Sequence, residues 1–225
     1  VLEYFSLFYY TVPIQIIVTF LFVLHGILFY KKIKEFKILI LYGIISLLQC
    51  GFGVYISVFT DHDFSKNIII RNSINIFMLF EYIVFYYFII NSIKSAKIKK
   101  VLRFFAAGYP LLVFYYWIYT PAFNEIPDYL TVIESYLIII GCLFYYLEIF
   151  TTPANIKLLE HPQFWTITGM LLLFAFLIPL FLQRNNILLN FIDLYNTIYV
   201  MNFIGYITLF IFFNIGLRCQ IKISA

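Results

Sequence analysis

Seven times along this chain a run of about twenty predominantly apolar residues recurs, and that repeat sets the fold class. Roughly 20 residues of helix, at 1.5 Å rise each, are what the ~30 Å hydrocarbon core of a bilayer requires. The runs cover Tyr9–Tyr30, Ile38–Thr60, Ile68–Ile93, Val101–Tyr119, Leu130–Phe150, Phe164–Gln183 and Tyr195–Leu217. A lone segment in lipid must satisfy its own backbone hydrogen bonds, so each run is expected to be a helix. The expectation is an all-α polytopic membrane protein: a seven-transmembrane-helix bundle forming a single transmembrane domain over residues 1–225. Only 12% of residues are charged, about half the usual share in a soluble domain, too few to cover a surface facing water.

The basic residues fix an expected orientation. Lys31, Lys32, Lys34 and Lys37 follow the first run, and Lys94, Lys97, Lys99, Lys100 and Arg103 lie between the third and fourth. Lys157 precedes the sixth, while Arg218 and Lys222 follow the seventh. These are twelve of the 15 basic residues. The positive-inside rule assigns them to the cytoplasm, which puts the N-terminus outside and the C-terminus in the cytoplasm, in a cytoplasmic (inner) membrane. The net charge of +4 therefore reflects topology, and no nucleic-acid partner is expected. The first run is longer than the apolar part of a secretory signal and lacks a small-residue cleavage site, so it reads as a span. The chain opens at Val1, in keeping with residues preceding it in the native protein. The residues after Leu217 are too few for an output domain, so a signalling role calls for a separate protein at the cytoplasmic loops.

Ionisable and amide side chains inside the runs are the candidate site residues, because such groups are costly in hydrocarbon and face the bundle interior. Glu81 stands halfway along the third run, with Asn72 and Asn75 preceding it on what is expected to be a similar helical face, toward the outer end. Glu134, followed by Ser135, lies a turn into the fifth run. Arg71 is at similar depth, so an Arg71–Glu134 ion pair is expected, against the alternative that both reach the outer interface. On the seventh run Asn196, Tyr199, Asn202 and Tyr206 recur at helical spacing and form a polar stripe. His25 reads as a hydrogen-bonded packing residue, and Glu148 as reaching water at the inner end. The small residues Gly43, Ser46, Cys50, Gly53 and Ser57 of the second run read as a helix-packing stripe. The predicted ligand-binding set is Glu81, Glu134, Arg71, Asn75, Asn196, Tyr199 and Asn202.

Several classes are set aside. No lysine occurs between Tyr195 and Leu217 to hold retinal, and no arginine ladder could sense voltage. His25, His62 and His161 fall at different depths and cannot share a metal. Asp61-His62-Asp63 reads as a solvated turn rather than a cation loop. No cofactor or metal is expected, and Cys50, Cys142 and Cys219 read as apolar fillers.

Glu81 with Phe85-Tyr86-Tyr87, Glu134-Ser135, and Pro162-Gln163-Phe164-Trp165 with Gly169 resemble features of small seven-helix integral membrane proteins of Bacteroidota, themselves similar to stand-alone membrane sensor modules of bacterial histidine kinases. The resemblance implies a sensor or receptor-like module that binds an unknown small ligand in an outward-facing polar pocket and signals through a separate partner. A proton-coupled transporter using Glu81, an intramembrane enzyme acting on lipid, and a scaffold subunit are the alternatives.

Overall fold

The computed structural model describes residues 2–59, 64–119, 128–151, 157–190 and 192–224, with side chains described throughout except at 2–11, 53–54, 56–59, 64–71, 128, 183–190 and 192–199. All regular structure among these residues is helical. The helices are α1 (Leu2–Leu28), α2 (Lys37–Phe59), α3 (Phe64–Ser92), α4 (Ala96–Tyr119), α5 (Asp128–Thr151), α6 (Pro162–Asn190) and α7 (Ile192–Ile223). Single 3-10 turns at Lys34–Phe36 and Leu158–Glu160 lead into α2 and α6. Six helices are long and apolar enough to cross a bilayer, and α1 contributes a shorter apolar stretch, Val12–Leu28. Several helices run past the apolar segments that announce them, as α4 does by starting at Ala96 and α7 by continuing to Ile223. Backbone hydrogen bonding does not stop where the hydrocarbon does, and long basic side chains reach water from the extra turns.

The outward surface explains why this is an integral membrane protein. Phe104, Phe150 and Leu48 are 74%, 70% and 68% exposed, and each lies within a candidate span. Water would not tolerate such a continuous apolar surface, whereas lipid is its natural solvent.

The helices close into a ring through neighbouring pairs, with α7 packed between α6 and α1. Helix α3 is the central element and meets α2, α4, α5 and α6, while α4 is peripheral and leans on α3 and α5. Small residues set the closest approaches. A Cβ on Gly216 of α7 would stand 2.7 Å from the Pro162 carbonyl oxygen of α6 and 3.3 Å from the Phe36 ring. Gly43 of α2 faces Phe22 and Val23 of α1, and Ser46 is buried a turn along; Gly53 and Ser57 of the expected packing stripe lie outside the set with described side chains.

Contacts draw the basic segments to one end, called here the basic end. Gln163 Nε2 donates to the Glu35 carboxylate, linking the segment before α2 to α6. Glu148 of α5 accepts from the backbone N–H of Lys94 (2.9 and 3.1 Å) and of Ser95 (2.7 Å). It thus supplies the donors before α4 with a charged partner. The sequence reading, which sent this carboxylate to water, missed the role.

Candidate functional site

Glu81 is 2% exposed at the middle of α3. A carboxyl in such a place needs hydrogen bonds, since burial without them is costly. Two tyrosines on flanking helices supply them. Tyr42 of α2 donates to Oε1 at 2.6 Å, and Tyr206 of α7 donates to Oε2 at 3.1 Å. The Tyr42 ring is clamped between Phe77 and Phe210, with centroids 5.8 Å away on either side at 26° and 14°, and meets Phe85 edge-on at 4.8 Å.

Toward the basic end, the space below Glu81 is filled. Phe22, Phe85, Phe210 and Phe213 are fully buried, and Phe22 lies 5.8 and 5.5 Å from the rings of Phe210 and Phe213. Below them Phe36 meets Phe88 edge-on at 5.7 Å.

Glu134 is 1% exposed and is served differently. Tyr109 of α4 donates to Oε2 at 3.1 Å, but Oε1 has no partner among the described residues. The Tyr109 ring in turn packs, tilted by 45°, at 4.4 Å from that of Tyr82, whose hydroxyl donates to the Phe105 carbonyl at 2.8 Å. Tyr86 donates to the Leu137 carbonyl of α5, also at 2.8 Å.

Five more buried side-chain atoms lack a partner among the described residues: Gln15 Oε1, Asn72 Oδ1, Asn75 Nδ2, Asn202 Oδ1 and, at the basic end, Gln163 Oε1. With Glu134 Oε1 the first four belong to α1, α3, α5 and α7 and lie in the half of the bundle away from the basic end. Buried polar atoms are nearly always paired with protein or water. Of the five atoms away from the basic end, four are oxygens and one is an amide nitrogen. Asn72 and Asn75, three residues apart, share one face of α3, but Asn72 and Glu81, nine residues or two and a half turns apart, occupy opposite faces, so the expected common face does not extend to Glu81.

The predicted site residues thus separate. Glu81, Asn75, Glu134 and Asn202 are buried or partly buried in the interior, and Tyr206 joins them through Glu81. Arg71 belongs to α3, and Asn196 and Tyr199 belong to α7, but their side chains lie outside the described set, as does the expected Arg71–Glu134 pair. Asp61-His62-Asp63 also lies outside the described residues. His25 approaches Asn214 Oδ1 at 3.5 Å near the basic end. Sequence reasoning missed Tyr42 and Tyr109, the hydroxyl partners of the two carboxyls; their one signal is a tyrosine at mid-span depth on a neighbouring helix.

Outside the spans, His161 sits against the Tyr145 hydroxyl at 3.4 Å. Partial burial and the nearby Lys94 charge push its imidazole below the usual histidine range, with Glu35 acting in the opposite sense. Among the described residues no three His, Cys, Asp or Glu side chains converge as metal ligands would. No protein-family model, curated protein or solved structure matches this chain.

Proposed function

We propose that this chain is a seven-span sensor or receptor-like module with its N-terminus outside and its basic end in the cytoplasm. A small ligand rich in hydrogen-bond donors enters the outer half, meets Glu134 Oε1 and the orphaned amides, and alters how α3, α5 and α7 pack. A separate protein reads that change at the basic end. The observation that carries this reading is Glu134: it is enclosed, held on one oxygen by Tyr109, and without a hydrogen-bond partner among the described residues on the other. Glu81, with both oxygens taken by tyrosines, anchors three helices beneath the ligand.

The aromatic plug below Glu81 counts against a carrier, which needs polar access from both sides. An intramembrane enzyme needs a second catalytic group beside the carboxylate, yet His25 and His161 lie toward the basic end.

The test is thermal unfolding in detergent with donor-rich probes, namely short polyamines and polyols. The reading requires that at least one probe stabilises the wild type and that Glu134→Gln abolishes this gain while leaving the unliganded melting temperature nearly unchanged. If no probe stabilises the wild type, or if the variant responds equally, the reading fails.

A further inference from the structure

An open groove of 810 Å³ lies at the basic end between the start of α2 and the end of α3. Its floor is apolar and closed, formed by Ile40 and Phe88, which are 4% and 3% exposed. Its walls are Leu41, Ile44 and Tyr87, each at least 37% exposed and each within a candidate span. In a bilayer these walls face acyl chains. The mouth has the opposite character. Lys34 and Lys37 line it, and the Lys37 ammonium is held 4.2 Å above the Tyr30 ring. Helix α2 begins at Lys37, so its positive dipole end adds to the two cations. Asn91 and Ser92 of α3 complete the mouth with neutral polar groups. The one acidic lining residue, Glu35, is engaged by Gln163 of α6. Lys31 and Lys32, both exposed, leave the surrounding segment strongly basic.

We propose that this groove is a binding site for one anionic glycerophospholipid of the leaflet at the basic end. The headgroup phosphate sits between Lys34 and Lys37, and an acyl chain runs down the trough along Leu41, Ile44 and Tyr87. Two features select this occupant. An apolar trough that opens sideways into hydrocarbon and ends in cations at the interface reproduces the layout of a phospholipid, headgroup above and chain below. The surplus of positive charge at the mouth then favours a headgroup with net negative charge over a zwitterionic one, each basic residue near the surface contributing about 1 kcal/mol, or roughly fivefold. The site is separate from the outer half of the bundle and does not rest on the sensor reading.

The test offers purified protein equal amounts of phosphatidylglycerol and phosphatidylcholine in non-ionic detergent and reads the retained lipid by native mass spectrometry. Wild type retains phosphatidylglycerol in clear excess, and an excess of inorganic phosphate does not displace it. Lys34→Gln combined with Lys37→Gln abolishes the excess. Lys97→Gln combined with Lys100→Gln, which removes two exposed lysines at the start of α4, keeps it. Ile44→Trp fills the trough without touching the charges and also loses the lipid, so the result stands even if the lysine variant does not fold. Equal retention of the two lipids by wild type overturns the proposal. So does equal loss in both lysine variants, which signals general charge attraction, or displacement by inorganic phosphate, which signals an anion site without a lipid. Retention by Ile44→Trp at the wild-type level overturns it as well.

Discussion

Tyr42 on α2 and Glu81 on α3, 39 residues apart in sequence, meet at 2.6 Å inside a bundle whose surroundings offer no water. Lipid gives packed helices no hydrophobic reason to associate, so small-residue contacts and hydrogen bonds of this kind hold them together. Tyr206 closes the link to α7. Tyr42→Phe leaves one buried carboxyl oxygen without its donor and should cost about 1–3 kcal/mol. Tyr206→Phe should cost less, because its bond is longer and Tyr206 is less enclosed. Thermal unfolding of the two single variants and the double variant in detergent checks the order. Equal stability of Tyr42→Phe and wild type would show that the carboxyl has another partner.

Two glycines should respond in opposite directions to the same substitution. At Gly216 an added methyl meets the Pro162 carbonyl oxygen and the Thr166 hydroxyl, each at 2.7 Å. Gly216→Ala should destabilise by about 1–3 kcal/mol, the usual range for overpacking. Gly108 lies inside α4 with nothing within 4 Å of its added Cβ. Gly108→Ala should stabilise by about 0.5–1 kcal/mol, since alanine restricts the unfolded chain more and favours helix. Unfolding midpoints of the two variants decide the matter.

The acid side of the stability profile should carry a His161 signature. Its folded pKa is depressed by burial and by Lys94, so the unfolded chain binds the proton more readily. Stability from this residue is therefore present above the unfolded value of about 6.5 and is lost as pH falls below it. A melting-temperature series from neutral to mildly acidic pH should fall more steeply for wild type than for His161→Gln. Parallel curves would remove the residue from the account.

Glu148 should govern the start of α4. Its carboxylate takes the backbone N–H groups of Lys94 and Ser95, and losing such a cap typically costs about 0.5–2 kcal/mol. In Glu148→Ala, amide hydrogen exchange should speed up over the first turn of α4 and remain unchanged in α6 and α7. Uniform acceleration along the chain would instead mean a global loss of stability.

How much of this was legible beforehand depends on which residues lipid singles out. Glu81 and Glu134 stand out because a carboxyl is conspicuous in an apolar run, and both are buried as their positions required. The six helices with membrane-crossing length were legible for the same reason, since apolar length is a physical requirement of the bilayer. Tyr42 and Tyr109 were not. The chain has 20 tyrosines, and nothing local separates these two from Tyr87 and Tyr115, which are 57% and 60% exposed on the outside of the bundle. The difference is the rotation of each helix about its axis, and that is decided by neighbours distant in sequence. Gly216 was likewise invisible, because its close partner, Pro162, belongs to another helix.

The bond between Tyr206 and Glu81 spans 125 residues, and its partners do not reach the membrane together. A chain made from its N-terminus delivers α3 well before α7. Throughout that interval the carboxyl of Glu81 lacks one donor in a medium that supplies none. Completion of the last helix is thus what supplies the second donor to this carboxyl. A chain that stalls before α7 leaves an unpaired polar group within the bilayer, a mark by which membrane quality control could tell an unfinished bundle from a finished one.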